Sequence, residues 1–263
     1  MKKTKIILAL VLVVACLTTV FALAACEIQV EETTNMNADD LEGSIALING
    51  FFEDTFADTN HVATATSGDE TVLSETVDGT KVRAQSPLTG ADQLAMKDGA
   101  RYLMVYTDTQ SYDVIDKTAY DQCHNAWKIL IPLLGLSEED LKEVPEDFTA
   151  SCSVQGKESG TISEKGTVMN GGTTLTFNAS GNGYSYKLVA HSVSGLVRDV
   201  EYTASYTGED DNTRTQAINL TFVYGKASVA TPDLSTYTDN AANTGDEDGE
   251  GEETTDDTVV IDE

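Results

Sequence analysis

Apolar residues recur with a helical period at the start of the folded region. From Ala38 to Phe56 they return every three or four residues, which predicts a helix with one apolar stripe. Asp39, Asp40 and Glu42 suit the positive N-terminal end of the dipole of this helix. The stripe consists of Leu41, Ile45, Ile48, Phe52 and Phe56.

The period then changes to two, which predicts a run of strands. These strands are His61–Thr66, Thr71–Val77, Thr80–Gln85, Leu94–Lys97 and Arg101–Asp108. Asp78-Gly79 and Asp98-Gly99 lie between apolar alternations, and an Asp-Gly pair there is a strong hairpin signal. The last strand carries large side chains on both faces, so we expect it to be central and covered on both sides.

A second helical period runs from Thr118 to Leu136. Pro132 should end or kink this helix, because proline removes a backbone donor and crowds the preceding turn. Ser137 is typical of a helix cap and predicts a short helix toward Val144. The apolar face of the longer segment consists of Tyr120, Cys123, Trp127, Leu130, Ile131 and Leu134.

The rest of the folded region alternates again and predicts a second run of strands. They are Thr149–Gln155, Gly160–Glu164, Gly166–Met169, Thr173–Ala179, Tyr184–Val193, Leu196–Tyr206 and Thr215–Tyr224. The last one places apolar side chains on one face only, which is typical of an antiparallel sheet packed on one side. The two helical segments are the only candidates to cover that face, so the fold class is α+β.

The N-terminus has the pattern of an export signal. Three lysines in the first five residues precede an apolar stretch from Ile6 to Leu23. The closing Leu23-Ala24-Ala25-Cys26 resembles the lipobox of bacterial lipoproteins, which implies cleavage after residue 25 and a diacylglycerol group on Cys26. The alternative is an uncleaved transmembrane anchor, since ~18 residues at ~1.5 Å each span about 27 Å. Both interpretations place the domain outside the cytoplasm, beside a membrane.

The excess of acidic residues argues against some classes of function. The chain has 16 basic and 44 acidic residues and a net charge of −28, without a basic stripe that could neutralise phosphates. This composition argues against nucleic-acid binding and against adhesion to anionic headgroups, so membrane attachment would come from the acyl chains on Cys26. We expect a short tether at 26–37, a folded domain at 38–235, and an acidic tail at 236–263 that cannot offset its chain entropy and is disordered.

The closing strand carries a second resemblance. The stretch from Ile218 to Lys226, followed by Val229 and Pro232, resembles the end of the LolA/LolB-like lipoprotein carriers, particularly the LppX and LprG lipoproteins. The order of elements over residues 38–235 is also similar. The resemblance implies that the sheet curves into an incomplete β-barrel around the helices and holds acyl chains in an apolar cavity. We expect that cavity to be lined by Trp127, Leu130, Leu134, Tyr186, Leu188, Tyr202, Leu220 and Phe222.

A different function fits the same residues. An envelope lipoprotein with a closed core, which contacts a partner protein, would show the same apolar pattern, because a cavity wall and a packed core share one composition. An enzyme is not indicated: the three histidines have no partners at metal-ligand spacing, and no nucleophile elbow or phosphate loop occurs. We therefore expect no catalytic residue, metal or cofactor.

Two cysteines remain after Cys16 and Cys26 are set aside. Cys123 lies on the second helical segment and Cys152 on the strand that follows. Outside the cytoplasm such a pair can form a disulfide, which would pin helix to sheet. The alternative is two separate buried thiols.

Overall fold

The computed structural model describes residues 28–134, 136, 144, 147–163, 166–208 and 212–241. Within them, thirteen strands form one large, curved, unclosed sheet, accompanied by two α-helices. The strands are β1 (Ile28–Ala38), β2 (Asn60–Ser67), β3 (Glu70–Asp78), β4 (Lys81–Ser86), β5 (Ala91–Asp98), β6 (Arg101–Tyr106), β7 (Ser111–Ile115), β8 (Thr149–Ser163), β9 (Gly166–Gly181), β10 (Tyr184–Val193), β11 (Leu196–Thr207), β12 (Thr213–Tyr224) and β13 (Thr238–Asp239). The helices are α1 (Leu41–Ala57) and α2 (Lys117–Gln122).

The order of strands across the sheet is β1-β8-β9-β10-β11-β12-β2-β3-β4-β5-β6-β7-β13. Each neighbouring pair is antiparallel except β7 and β13, which run parallel. The prediction of an α+β fold with one large antiparallel sheet is confirmed at this level.

Helix α1 forms where the first apolar stripe predicts it, but it begins three residues later. The Asp40 side chain caps the helix by accepting a hydrogen bond from the backbone N–H of Gly43 at 2.7 Å. Ile45, Ile48 and Phe52 are buried, and α1 packs against β8, β9 and β11. The helix therefore covers the half of the sheet that is built by the second strand run.

The segment predicted as a tether is a strand instead. Residues 28–38 form β1, which pairs with β8 along its whole length, from Ile28 opposite Ile162 to Ala38 opposite Cys152. This strand carries little apolar alternation, and most of its described side chains are exposed. Hydrogen bonding to the free edge of β8 accounts for it, and such pairing leaves no hydrophobic pattern in the sequence.

The second helical segment is broken into two short pieces. Helix α2 ends at Gln122, and a 3₁₀ helix covers Ala126–Leu130. Asn125 between them adopts a left-handed conformation (φ 58°), which ends one helical direction and starts another. Residues 137–143 of the predicted short helix lie outside the described residues.

Two pairs of predicted strands are merged into single long strands. β8 has 15 residues and β9 has 16, and they pair without interruption. Asn170-Gly171, a pair typical of tight turns, lies within β9. Near the C-terminus, a 3₁₀ turn at Leu234–Thr236 and strand β13 continue the ordered structure into the predicted tail, whose residues 242–263 lie outside the described part.

Strand β6 is covered on both faces, as its side chains predict. On one face, Leu103 and Val105 pack with Val229 from the C-terminal segment. On the other face, Met104 packs in a cluster with Tyr120 of α2. The largest cluster lies elsewhere, between α1, the 3₁₀ helix after α2, and strands β8 to β12.

A buried charge network joins the end of α1 to strands β2 and β3. The His61 side chain is fully buried, with Nδ1 3.1 Å from a carboxylate oxygen of Asp58 and Nε2 3.4 Å from one of Glu75. The other Glu75 oxygen accepts a hydrogen bond from the Ala126 N–H. Burial alone lowers the pKa of His61, but the nearby carboxylates of Glu75 and Asp58 outweigh it and raise the pKa above its ordinary value of 6.5.

This network predicts a pH-dependent contribution to stability. The pKa of His61 is raised in the folded state, so the protonated side chain stabilises the fold. This contribution to the free energy of unfolding is fully present below about pH 6.5 and is lost as the pH rises through the folded pKa. We expect the difference in free energy of unfolding between the wild type and His61→Gln to shrink from pH 5.5 to pH 9. Urea unfolding at both pH values measures it, and a constant difference would contradict the assignment.

Candidate ligand site

All eight residues of the predicted cavity lie in or against the largest hydrophobic cluster. Six of them are buried: Trp127, Leu134, Leu188, Tyr202, Leu220 and Phe222. Leu130 and Tyr186 are partly buried and pack against this core. The Trp127 ring lies 5.0 Å from that of Phe222 and 6.0 Å from that of Phe52, centroid to centroid, so this part of the predicted cavity is filled by side chains.

The register of β8 to β12 shows where packing becomes looser. Residues that face α1 form rows across the sheet, and their exposure rises from row to row toward one end. The residues of the two innermost rows are all 0–2% exposed. The first row contains Leu175, Ala190, Val200 and Leu220, and the second contains Phe177, Leu188, Tyr202 and Ile218. Ala150, Ala179, Tyr186, Ala204 and Gln216 follow, and then Gly181, Tyr184, Tyr206 and Arg214 at the rim.

One cavity at these outer rows has a volume of about 370 Å³ and is lined mainly by Leu41, Pro132, Leu133, Leu136, Phe148 and Tyr186. A second cavity of about 450 Å³ adjoins it and is lined by Leu130, Tyr202, Tyr206 and Arg214, among others. Both share Pro132, Tyr184 and Tyr186, so together they form one groove, which we call the mouth groove.

Exposed apolar side chains concentrate at this groove. Ile129, Tyr184 and Tyr206 are 79%, 42% and 40% exposed and line the same cavity. The rings of Tyr184 and Tyr206 are 4.5 Å apart, and Tyr184 is also stacked parallel to Tyr186. A cluster of exposed aromatic and aliphatic surface next to a cavity is typical of a contact site for a ligand or partner.

One polar atom at the inner wall has no partner. The Tyr202 hydroxyl is buried without a hydrogen bond in the described part of the chain, and burial raises its pKa. Tyr224 shows the opposite case: its hydroxyl donates to the carbonyl of Val197 at 2.6 Å, and burial raises its pKa to about 12. An unsatisfied buried hydroxyl costs free energy that a satisfied one does not.

In the structure Cys123 and Cys152 are free thiols and do not form the predicted disulfide. Cys123 packs in the cluster around Tyr120, and its thiol lies 3.3 Å from the carbonyl oxygen of Ala119. Cys152 is buried in the largest cluster, beside Phe177. Burial raises the pKa of the Cys152 thiol to about 11. The two thiols therefore belong to different hydrophobic clusters.

The described lining of the groove is mostly apolar. Its lining consists of apolar and aromatic side chains with a few hydroxyl, amide and guanidinium groups. Among the residues that the structure describes, no three His, Cys, Asp or Glu side chains form a group that could hold a metal ion. His61 is fully buried away from solvent, and His191 lies at the surface beside Asp199.

Sequence reasoning missed the rim of the site. Pro132, Leu133 and Tyr206 line the groove but were not among the predicted cavity residues. An available signal was the exposed end of β10, where Tyr184 directly follows a Gly181-Asn182-Gly183 turn. A large aromatic residue beside a turn at a strand end has little core to pack against.

No protein-family model, curated protein sequence or solved structure matches this chain. The resemblance to lipoprotein carriers therefore stays a prediction. No helix in the described ranges is both long and apolar enough to cross a bilayer. The predicted signal and Cys26 lie outside those ranges.

A comparison of Tyr202 with Tyr224 tests whether the buried hydroxyl of Tyr202 lacks a hydrogen bond. Tyr202→Phe should raise the free energy of unfolding by about 1 kcal/mol, because it removes a buried group without a partner. Tyr224→Phe, the matched control, should lower it by about 1 kcal/mol, because it removes a formed hydrogen bond. Urea unfolding measures both values. A loss of stability in Tyr202→Phe would mean that its hydroxyl is satisfied after all.

Proposed function

We propose that this protein is an extracytoplasmic lipoprotein, anchored to the outer face of the cell membrane through Cys26, which binds a lipid or acyl-chain ligand non-covalently in the mouth groove. The observation that supports it best is the apolar groove itself. Its two cavities, about 370 and 450 Å³, lie within the usual size range of small-molecule sites. The groove also continues an apolar sheet face to the surface, as a site for a chain requires.

The energetics of burial are sufficient for this role. Each buried methylene contributes about 0.8 kcal/mol, so a chain of about twelve gains roughly 10 kcal/mol before ordering costs. A micromolar dissociation constant corresponds to about 8 kcal/mol. The groove needs no covalent step and no cofactor to hold such a ligand.

The large, curved, unclosed sheet with a helix against one face supports the resemblance to LolA/LolB-like carriers. In this proposal the sheet is the incomplete barrel and the mouth groove is the reduced counterpart of the carrier cavity. Ligand chains would lie against Pro132, Leu133 and Tyr186 at the rim of the core, because Trp127 and Phe222 already fill its centre.

A second function is favoured by a specific observation. The packed centre and the exposed patch of Ile129, Tyr184 and Tyr206 also suit a lipoprotein that contacts a partner protein. In that case the groove would receive an apolar side chain of the partner rather than a lipid.

A substitution that fills the mouth groove tests whether the protein binds lipid there. The mature chain, residues 26–263 with Cys26→Ser, should bind a fluorescent fatty acid at micromolar concentration, and organic extraction with mass spectrometry should recover co-purified lipid. Ala204→Trp projects a large ring into the groove and should weaken binding at least about tenfold. Ala217→Trp, the same change at an exposed position on the neighbouring strand, should leave binding unchanged.

Urea unfolding curves of both tryptophan variants serve as the control for folding. A clean extract together with no uptake of the fluorescent fatty acid by the wild type would reject the lipid function and favour the protein-partner alternative.

Lipid attachment is tested in the exporting host. The wild type should fractionate with membranes, and its N-terminal peptide should begin at Cys26 and carry the mass of a diacylglycerol group. Cys26→Ser should lack that mass. An N-terminal peptide that retains Phe21 and Leu23 without lipid would support the transmembrane anchor instead.

A further inference from the structure

We propose that the mouth groove selects single-chain amphiphiles with an anionic head, a carboxylate or a phosphate, and that Arg214 at the rim recognises that head. This inference rests on the proposed lipid-binding function and narrows its ligand class. The chain would lie along the apolar part of the groove and the head beside the guanidinium.

The charge pattern of the groove supports an anionic ligand. The chain contains 44 acidic and 16 basic residues, so acids dominate its surface. Among the described residues that line the two cavities, none is Asp or Glu, and the one charged side chain is that of Arg214. Within this described lining, Arg214 is the group that would favour an anionic ligand over a cationic one.

Within the described residues, the side chain of Arg214 differs from those of the three other arginines in having no partner. Arg83 forms an ion pair with Asp92 at 2.5 Å, and Arg101 forms one with Asp98 at 2.6 Å. Arg198 lies over the ring of Tyr224, 4.8 Å from its centroid. In the described part of the chain Arg214 has no carboxylate, hydrogen-bond or ring partner. Its fork of N–H donors suits bidentate contact with a carboxylate or phosphate.

The position of Arg214 fits the head of a chain that enters the groove. Arg214 lies opposite Tyr206, which lies opposite Tyr184, so all three belong to the outermost row of the sheet face. The apolar cavity lined by Leu133 and Phe148 adjoins that row through Tyr184 and Tyr186. A ligand that spans both cavities would therefore have its apolar end inward and its polar end at the solvent-exposed rim.

The test compares ligands that share one chain length and differ in their polar head. The mature chain with Cys26→Ser is titrated, by displacement of a neutral fluorophore, with dodecanoate, dodecyl phosphate, monododecanoylglycerol and dodecyltrimethylammonium. We expect both anions to bind about three- to tenfold more tightly than the neutral glyceride, and the cation to bind most weakly. High salt should reduce the difference, because the guanidinium is exposed. Inorganic phosphate at millimolar concentration should not displace the fluorophore, because it lacks the chain.

Arg214→Gln should remove the preference for anions and leave the affinity for the neutral glyceride unchanged. Lys187→Gln is the matched control, since Lys187 lies on the same sheet but alternates to its other face, and it should keep the preference. Equal affinities for all heads in the wild type, or an anion preference that survives in Arg214→Gln, would overturn the assignment while leaving lipid binding intact. Displacement by inorganic phosphate alone would also overturn it. Binding of none of the four amphiphiles would reject the lipid function itself.

Discussion

The structure depends on how much of an open apolar sheet face one short helix can cover. Helix α1 has 17 residues and spans about 25 Å, whereas β9 has 16 residues and spans about 53 Å. The helix therefore cannot cover the longest strands from end to end. Because a closed barrel is not formed, the remaining apolar surface needs either a second covering element or a ligand. The mouth groove lies where this cover ends.

The side chain of Trp127 anchors the 3₁₀ helix after α2, which is the second element that covers the sheet. Its ring packs between the ring of Phe56 on α1, 5.8 Å away, and that of Phe222 on β12, 5.0 Å away. The buried carboxylate of Glu75 holds the backbone just before it through the Ala126 N–H, and the left-handed Asn125 sets its direction. The chain then places Pro132 and Leu133 in the lining of the groove, together with Tyr186 of the sheet. A buried polar network thus positions the apolar lid residues of the groove.

Much of the fold could be predicted from periodicity, and the exceptions have physical reasons. The stripe of α1 and the two-sided burial of β6 follow from side-chain spacing, because a packed face must be apolar. Strand β1 could not be found in this way, since it pairs with β8 along its backbone and most of its described side chains are exposed. The break at Asn125 was hidden because a 3₁₀ turn and an α-helix bury similar positions over such short lengths.

The candidate site shows the same limit of sequence reasoning. The eight predicted cavity residues lie in or against one cluster, yet spacing could not separate Leu188 and Leu220, which fill the core, from Tyr186, which borders open space. That distinction depends on strand register, which places Tyr186 one row outside the row of Leu188. The His61 network was also invisible, because Glu75 lies on the neighbouring strand of a hairpin.

An unclosed sheet has two free edges, and each edge is a template on which further chains could stack. On one side this sheet ends in β13, which has two residues and offers little backbone to pair with. On the other side it ends in the 11-residue β1, whose Glu31 and Glu32 would repel the same glutamates of a second copy paired antiparallel around them. One edge is protected by its shortness and the other by its charge. The sheet can thus remain unclosed without exposing an edge that favours fibrous aggregation.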